Sequence, residues 1–285
     1  MVSVLVTGAS GFIGSSLVTH LENKGYDVFK TTRESGDISK NETWRNFPSA
    51  DFVIHLASRS FVPDSWKDSN GFIEANVLGT SNALEFAKKC NAKLIYISAY
   101  LYGIPENLPI SERHPILPNN PYALSKFLAE NICKFHSDFF NQSVTILRLF
   151  NVYGPNQKKE FLIPSLIDQC LNNSEIRVLD LNPKRDYIYI DDVLNVIEMS
   201  ILKAGSLQIY NVGSGISYSV QEIIDQIQVL CKTKLPVFSS ENVRPQEILD
   251  VVADISLAKN KLGWFPKFGI SDGLEKTIAS SVGEK

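Results

Sequence analysis

Thr7-Gly8-Ala9-Ser10-Gly11-Phe12-Ile13-Gly14 follows the apolar run Val2-Ser3-Val4-Leu5-Val6 and opens the helical pattern Phe12-Lys24. That strand–turn–helix setting gives the glycine spacing a physical meaning. Gly8 permits the tight turn, Gly11 lets a pyrophosphate approach the backbone, and Gly14 lets the helix pack against the strand. The helix N-terminus adds unpaired N–H groups and the positive end of its dipole. The stretch predicts a dinucleotide-binding loop.

Outward from it, short β-branched and apolar runs alternate with helical patterns. Val2-Thr7, Asp27-Thr32, Asp51-Leu56, Lys93-Ser98 and Val144-Leu149 read as strands, and Phe12-Lys24, Phe72-Lys89 and Tyr122-Phe140 as helices. The strands are apolar almost throughout, as expected when helices cover both faces of a sheet. This predicts an α/β fold, a doubly wound parallel Rossmann sheet. After Gly154-Pro155 the alternation loosens into a helix candidate at Phe161-Leu171, a strand-like Ile176-Leu181, a helix run Val220-Cys231 and a tail punctuated by Pro and Gly from Pro236 to Gly273. We expect a smaller, discontinuous α/β lobe formed by about 151–185 and 213–285. The main domain comprises 1–150 and about 186–212, with the strand-helix-strand stretch Tyr187-Tyr210 returning to its sheet.

Length and composition set the outer limits. The 285 residues are 44% hydrophobic, with a formal net charge of −3 and a pI of about 5.9. Such a chain lacks the positive field with which nucleic-acid binders gather phosphates. Any anionic ligand must be held by a few placed cations. Cys90, Cys133, Cys170 and Cys231 stand singly, and His20, His55, His114 and His136 show no ligand spacing, so reduced thiols and no metal are expected. The first strand begins at Val2, no run has the apolar length of a membrane span, and a cytoplasmic location is expected.

The end of the second strand bears on the choice of nicotinamide cofactor. A carboxylate there would accept from the adenosine ribose of NAD, whereas an Arg would pair with the 2′-phosphate of NADP. Thr31-Thr32-Arg33 occupies the place, and a guanidinium fork suits a phosphate better than a diol. NADP(H) is therefore favoured over NAD(H), with Glu34, one residue on, leaving the NAD alternative open. Asp37 is placed to accept the adenine amino group or to serve as a plain turn residue.

Pro121-Tyr122-Ala123-Leu124-Ser125-Lys126 starts the third helix, so Tyr122 and Lys126 share a face. A phenol titrates near 10. A cation about 4 Å away is worth up to roughly 4 kcal/mol at an effective dielectric of about 20, enough to bring a phenol towards about 7, where proton transfer works best. Tyr122 is the expected acid/base. The same spacing is common in surface pairs; what raises it is Ile95-Tyr96-Ile97-Ser98, a strand ending in a hydroxyl at the sheet edge that carries the glycine loop. Ser98 is placed to hydrogen-bond the reacting oxygen, with a cap on the strand end as its plainer role.

Taken together, these residues resemble the extended short-chain dehydrogenase/reductases, the NAD-dependent epimerase/dehydratase group that works on nucleotide sugars. The resemblance spans nearly the whole chain: Thr7 to Gly14, Val53-Ile54-His55-Leu56-Ala57, Asn76-Val77-Leu78-Gly79-Thr80, Ser98 with Tyr102-Gly103, Tyr122 with Lys126, Arg148 to Pro155, Arg185 to Asp192, Tyr210-Asn211-Val212-Gly213 and Leu262-Gly263-Trp264. It implies that Phe12, Ile13, Leu56, Ala57, Asn76 and Phe150 line the cofactor, with Thr32, Asp37 and Ile38 completing that set. It also implies that Asn151, Arg185 and Arg244 hold the diphosphate of a nucleotide sugar, with Tyr100 on the same substrate side. An ion pair of Arg185 with Asp186 or a neighbouring acid is the alternative. The group's dehydratases carry an Asp-Glu pair where Ala99 and Tyr100 stand here, so dehydration is disfavoured. Only Glu34 to Ser39 separates the second strand from the next helix, a shortening similar to that of the group's 4-keto-sugar reductases. The resemblance thus implies an NADPH-dependent reductase acting at C4 of a nucleotide-linked 4-keto-6-deoxyhexose, with Ser98 and Lys126 stabilising the charge on the forming alkoxide. A 4-epimerase is the runner-up, and a non-catalytic dinucleotide-sensing or RNA-binding protein is a remote third. A homodimer formed through two helices is expected from the same source.

Overall fold

The computed structural model describes residues 1–240 and 247–283. The glycine loop fixes the centre of the fold: β1 (Ser3–Thr7) ends in it, and α1 (Phe12–Asn23) leaves it. β2 (Asp27–Thr31) then pairs parallel on one side of β1, and β3 (Phe52–His55) on the other, so that Leu5 faces both Phe29 and Val53. Three helices, α2 (Asn41–Trp44), α3 (Val62–Lys67) and α4 (Ser69–Ile73), flank β3 in the chain, and a single π turn, Glu74–Leu78, leads into α5 (Gly79–Cys90). The predicted helix Phe72-Lys89 is therefore interrupted by a π turn that carries Asn76. After β4 (Lys93–Ala99), α6 (Pro121–Phe140) and β5 (Val144–Leu149) complete the part of the chain that reads as strict alternation.

Beyond β5 lie β6 (Asn151–Tyr153), α7 (Leu162–Asn172), β7 (Ile176–Val178), β8 (Lys184–Tyr189), α8 (Ile190–Leu202), β9 (Gln208–Val212), β10 (Ser217–Ser219), α9 (Val220–Cys231), β11 (Val237–Ser239), α10 (Ser256–Leu262) and α11 (Ile270–Gly283). The main sheet runs β2-β1-β3-β4-β5-β9 with every pairing parallel. β2 and β9 are its edge strands. One expectation needs correcting. β9 joins the main sheet, but β8 does not; it pairs with β6 and β10 in a second, three-stranded sheet. β7 and β11 form a separate parallel pair.

Period-two alternation divides the main sheet between two cores. Val4, Val6, Ile95 and Ile97 face α1 and α8 through Leu17, Leu21, Val193 and Ile197. Leu5, Val53, Leu94 and Tyr96 face α5 and α6 through Ala83, Leu84, Ala129 and Cys133. Burial of apolar side chains on both faces stabilises the parallel sheet. A third cluster, Tyr102, Ile110, Phe150, Val251 and Ala253, ties the loop after β4 to the carboxyl end of the main sheet. No described helix is long and apolar enough to cross a membrane.

Candidate active site

The turn after β1 is shaped by close backbone approach. Gly8 has φ +69°, and a Cβ there would lie 2.8 Å from the Ala57 nitrogen; a Cβ on Gly14 would lie 2.1 Å from the Gly8 carbonyl oxygen. Gly11 caps α1 with no side-chain hydrogen bond, which leaves the helix's first N–H groups for an external anion. These features fit the pyrophosphate of a dinucleotide. Phe12, Ile13, Leu56 and Ala57 are half-buried around the turn. Thr7 Oγ1 accepts from the Ala57 N–H at 3.1 Å and bonds His55 Nδ1 at 2.9 Å, locking the ends of β1 and β3 together.

At the end of β2, Thr32 caps a short 3₁₀ turn, Arg33–Ser35, and exchanges hydrogen bonds with Ser35. This holds Arg33 at the surface, and no ion pair to it is found among the described residues. Asp37 takes the turn role: its carboxylate accepts from the Ser39 N–H at 2.9 Å. Ile38 packs against Gly79, and its carbonyl accepts from Trp44 and Asn82. Asn76 is buried and spent on the protein itself. It accepts from the Arg59 N–H at 2.8 Å and donates to the Arg59 carbonyl at 3.0 Å and to Ser125 Oγ at 2.9 Å. Ser125 in turn donates to the Tyr122 carbonyl at 2.7 Å, so Asn76 braces the first turn of α6 from below.

That first turn is set by Asn120, which accepts from the Ala123 N–H at 2.8 Å, and by Pro121 at the start of the helix. Tyr122 and Lys126 then face β4. Lys126 Nζ donates to the Ile97 carbonyl at 2.7 Å and lies 4.8 Å from the Tyr96 ring centroid. Burial pulls its pKa down to about 7. The phenol of Tyr122, edge-on to Phe72 at 6.2 Å, is pushed up by burial. The expectation that Lys126 draws the phenol towards 7 is thus corrected: the ammonium is bound to a backbone carbonyl and is itself weakened by burial, so desolvation dominates.

Ser98 Oγ donates to Glu130 at 2.7 Å, and Glu130 is paired with Arg148 at 2.7 Å, both fully buried. Arg148 also donates to Tyr102 Oη at 2.8 Å. Neither Glu130 nor the role of Arg148 was apparent from residue type, because charged side chains are expected at the surface. The available signal was spacing: 122, 126 and 130 fall on one helical face.

On the substrate side, Tyr100 donates to the Gly103 carbonyl and lies edge-on to Phe150 at 5.5 Å. Asn151 Nδ2 donates to the Asp186 carbonyl at 3.2 Å. Arg185 donates to the carbonyls of Lys184 at 2.8 Å and Ile248 at 2.6 Å and pairs with Glu247. Its charge reaches Tyr100, opposing the larger upward push of burial on that phenol. Asp186 points elsewhere and accepts from the N–H groups of Ser214, Gly215 and Ala253. Arg244 lies outside the described residues. Among those residues no group of three or more His, Cys, Asp or Glu side chains is placed to hold a metal ion.

The sequence profile of the NAD dependent epimerase/dehydratase family matches residues 4–213, which take in the glycine loop, Ser98, Tyr122 and Lys126. The chain belongs to that family. Over 96% of its length it is 32% identical to a putative UDP-glucose 4-epimerase of Methanocaldococcus jannaschii, covering 97% of that protein. It is 31% identical to the GDP-6-deoxy-D-talose 4-dehydrogenase of Aggregatibacter actinomycetemcomitans, with 91% of each chain covered. The structure of RMD from Pseudomonas aeruginosa complexed with NADPH superposes over 100% of both chains with a TM-score of 0.92 at 27% identity. The family member described here is thus an extended short-chain dehydrogenase/reductase built around a nicotinamide dinucleotide.

Proposed function

We propose that the chain is an NADPH-dependent reductase acting at C4 of a nucleotide-linked 4-keto-6-deoxyhexose. The observation that carries this reading is Arg33, exposed on the capped turn at the end of β2 with no ion pair among the described residues, where a guanidinium fork suits the 2′-phosphate of NADPH. When bound, the reduced dinucleotide supplies the hydride. Gly8, Gly11 and Gly14 admit its pyrophosphate, and Arg33 faces its 2′-phosphate. Tyr122 donates the proton to the sugar oxygen, and Lys126, anchored on the Ile97 carbonyl, sits one helical turn along the same face of α6. Asn151, Arg185 and Arg244 hold the sugar-nucleotide diphosphate, and Glu247 holds the Arg185 fork in place until that anion arrives.

A second reading, a nucleotide-sugar 4-epimerase, is favoured by the 32% identity to the putative UDP-glucose 4-epimerase. Mixing the protein with NADPH or NADH and GDP-, dTDP- and UDP-linked 4-keto-6-deoxyhexoses separates the two. The reductase reading predicts stoichiometric loss of nicotinamide absorbance with one of these sugars and formation of its 4-hydroxy product. Interconversion of 4-hydroxyl epimers without net change in absorbance would overturn it.

A further inference from the structure

Topology brings two of the four cysteines together. α7 leads into β7 and α9 into β11, and the two strands pair parallel with Ile176 beside Val237. Cys170 stands six residues before Ile176, and Cys231 six before Val237. Two helix–strand units in matching register therefore carry a thiol at equivalent places. The helices meet in the core through Ile163, Leu166 and Ile167 on α7 and Ile223, Ile224 and Ile227 on α9, and close packing holds the pair to one spacing. The Cys231 thiol hydrogen-bonds the Cys170 thiol, and Cys170 Sγ lies 2.8 Å from Thr233 Oγ1. Both thiols are free. Cys170 is only 3% exposed, whereas Cys231, the last residue of α9, is half-buried. A reagent from solution therefore meets Cys231 first. Thiols already in contact reach bonding distance by side-chain rotation.

We propose that Cys231 and Cys170 are an oxidative modification site for a small-molecule disulfide of the glutathione type, in which Cys231 is attacked first and Cys170 completes a covalent staple between α7 and α9. The Cys231 thiolate attacks one sulfur of the reagent, whose S–S bond breaks and releases one small thiol. The Cys170 thiolate then attacks the Cys231 sulfur, breaking the mixed disulfide and releasing the second small thiol. Two protein thiols are oxidised, one external disulfide is reduced, and the two protein protons end on the released thiols. Burial, with the Cys170 thiol beside it, pushes the Cys231 thiol up to about 12. The first step therefore runs through a small thiolate fraction and is slow. The second is intramolecular between groups already in contact and is fast. The site thus records sustained oxidation and ignores a brief one, and the mixed disulfide does not accumulate.

The test is prolonged incubation of the full chain with oxidised glutathione, then acid quenching, alkylation in denaturant and peptide mass mapping, which separates this pair from any adduct on the half-buried Cys90. The unaltered protein is expected to yield a cross-linked peptide joining Cys170 to Cys231, with no glutathione on either. Cys170→Ala should hold one glutathione on Cys231, and Cys231→Ala should leave Cys170 unmodified. The staple closes a loop of about 60 residues and should raise the melting temperature by roughly 5–10 °C, an increase that dithiothreitol removes. Recovery of both thiols in alkylated form, glutathione retained on Cys231 beside a free Cys170, modification of Cys170 in C231A, or a cross-link without a rise in melting temperature would overturn the proposal. The unaltered protein decides alone if Cys170→Ala does not fold. Neither sugar nor nicotinamide enters the experiment, so its outcome is independent of the functional reading above.

Discussion

In the proposed reading Arg33, at the end of β2 on a 3₁₀ turn capped by Thr32, carries the cofactor choice. Hydrogen bonds to a charged group are worth about 1.5–3 kcal/mol. Arg33→Ser should therefore raise KM for NADPH about 10- to 100-fold and leave KM for NADH nearly unchanged, as steady-state kinetics with both cofactors would show. An unchanged ratio of the two would place the 2′-phosphate elsewhere. His55 sets a pH limit of its own. Burial, with the charge of Lys126, holds it down at about 3 against an ordinary 6.5. Between those values the unfolded chain binds a proton that the fold refuses, so stability is present above 6.5 and lost as pH falls towards 3. The loss should amount to a few kcal/mol, on the order of 3–5 at most. Urea unfolding at pH 7 and pH 5 should show this slope, and His55→Asn should flatten it. Some residues were legible only in part. An ion pair at Arg185 was foreseeable, but β8 turns alternate side chains to opposite faces. Asp186 is thereby directed to Ser214 and Ala253, and Glu247 takes the guanidinium.

Among the elements, those before Gly154 were legible because their apolar periods are unbroken: α1, α6 and β5 lie within a residue or two of where the pattern puts them. β8 was legible as a strand but not as a member of the small sheet, because strand partners are chosen by contacts distant in the chain. α10 and α11 were hidden by the Pro and Gly that flank them, although Trp264 between them is fully buried and donates to the Asp192 carbonyl. α6 also shows a second face that the site does not use. Leu124, Leu128, Phe135 and Phe139 are 38–69% exposed at helical spacing, with the rings of Phe135 and Phe139 4.7 Å apart. An apolar face of this kind marks an interaction site, and we propose that a second copy of the chain covers it. Leu128→Asp with Phe139→Asp should halve the mass seen in sedimentation equilibrium; a monomer in the unaltered protein would remove this proposal.

For the molecule as a whole, the two sheets divide the labour. The main sheet brings the glycine turn, Ser98 and the Tyr122/Lys126 face to one edge, and the second sheet sets Asn151 and Arg185 beyond it. The first sheet was legible through local pattern; the second was not, because its strand β8 was expected in the main sheet. The buried Glu130–Arg148 pair that joins β4, α6 and β5 at the centre came only from the fold. The central claim is that the chain delivers a hydride and a proton to C4 of a nucleotide-linked keto sugar. Its most direct test uses NADPH deuterated at C4 of the nicotinamide, followed by mass and NMR analysis of the sugar product. The account predicts one deuterium at the sugar C4 for each NADPH oxidised; a product epimerised at C4 without deuterium, and NADPH recovered unchanged, would contradict it.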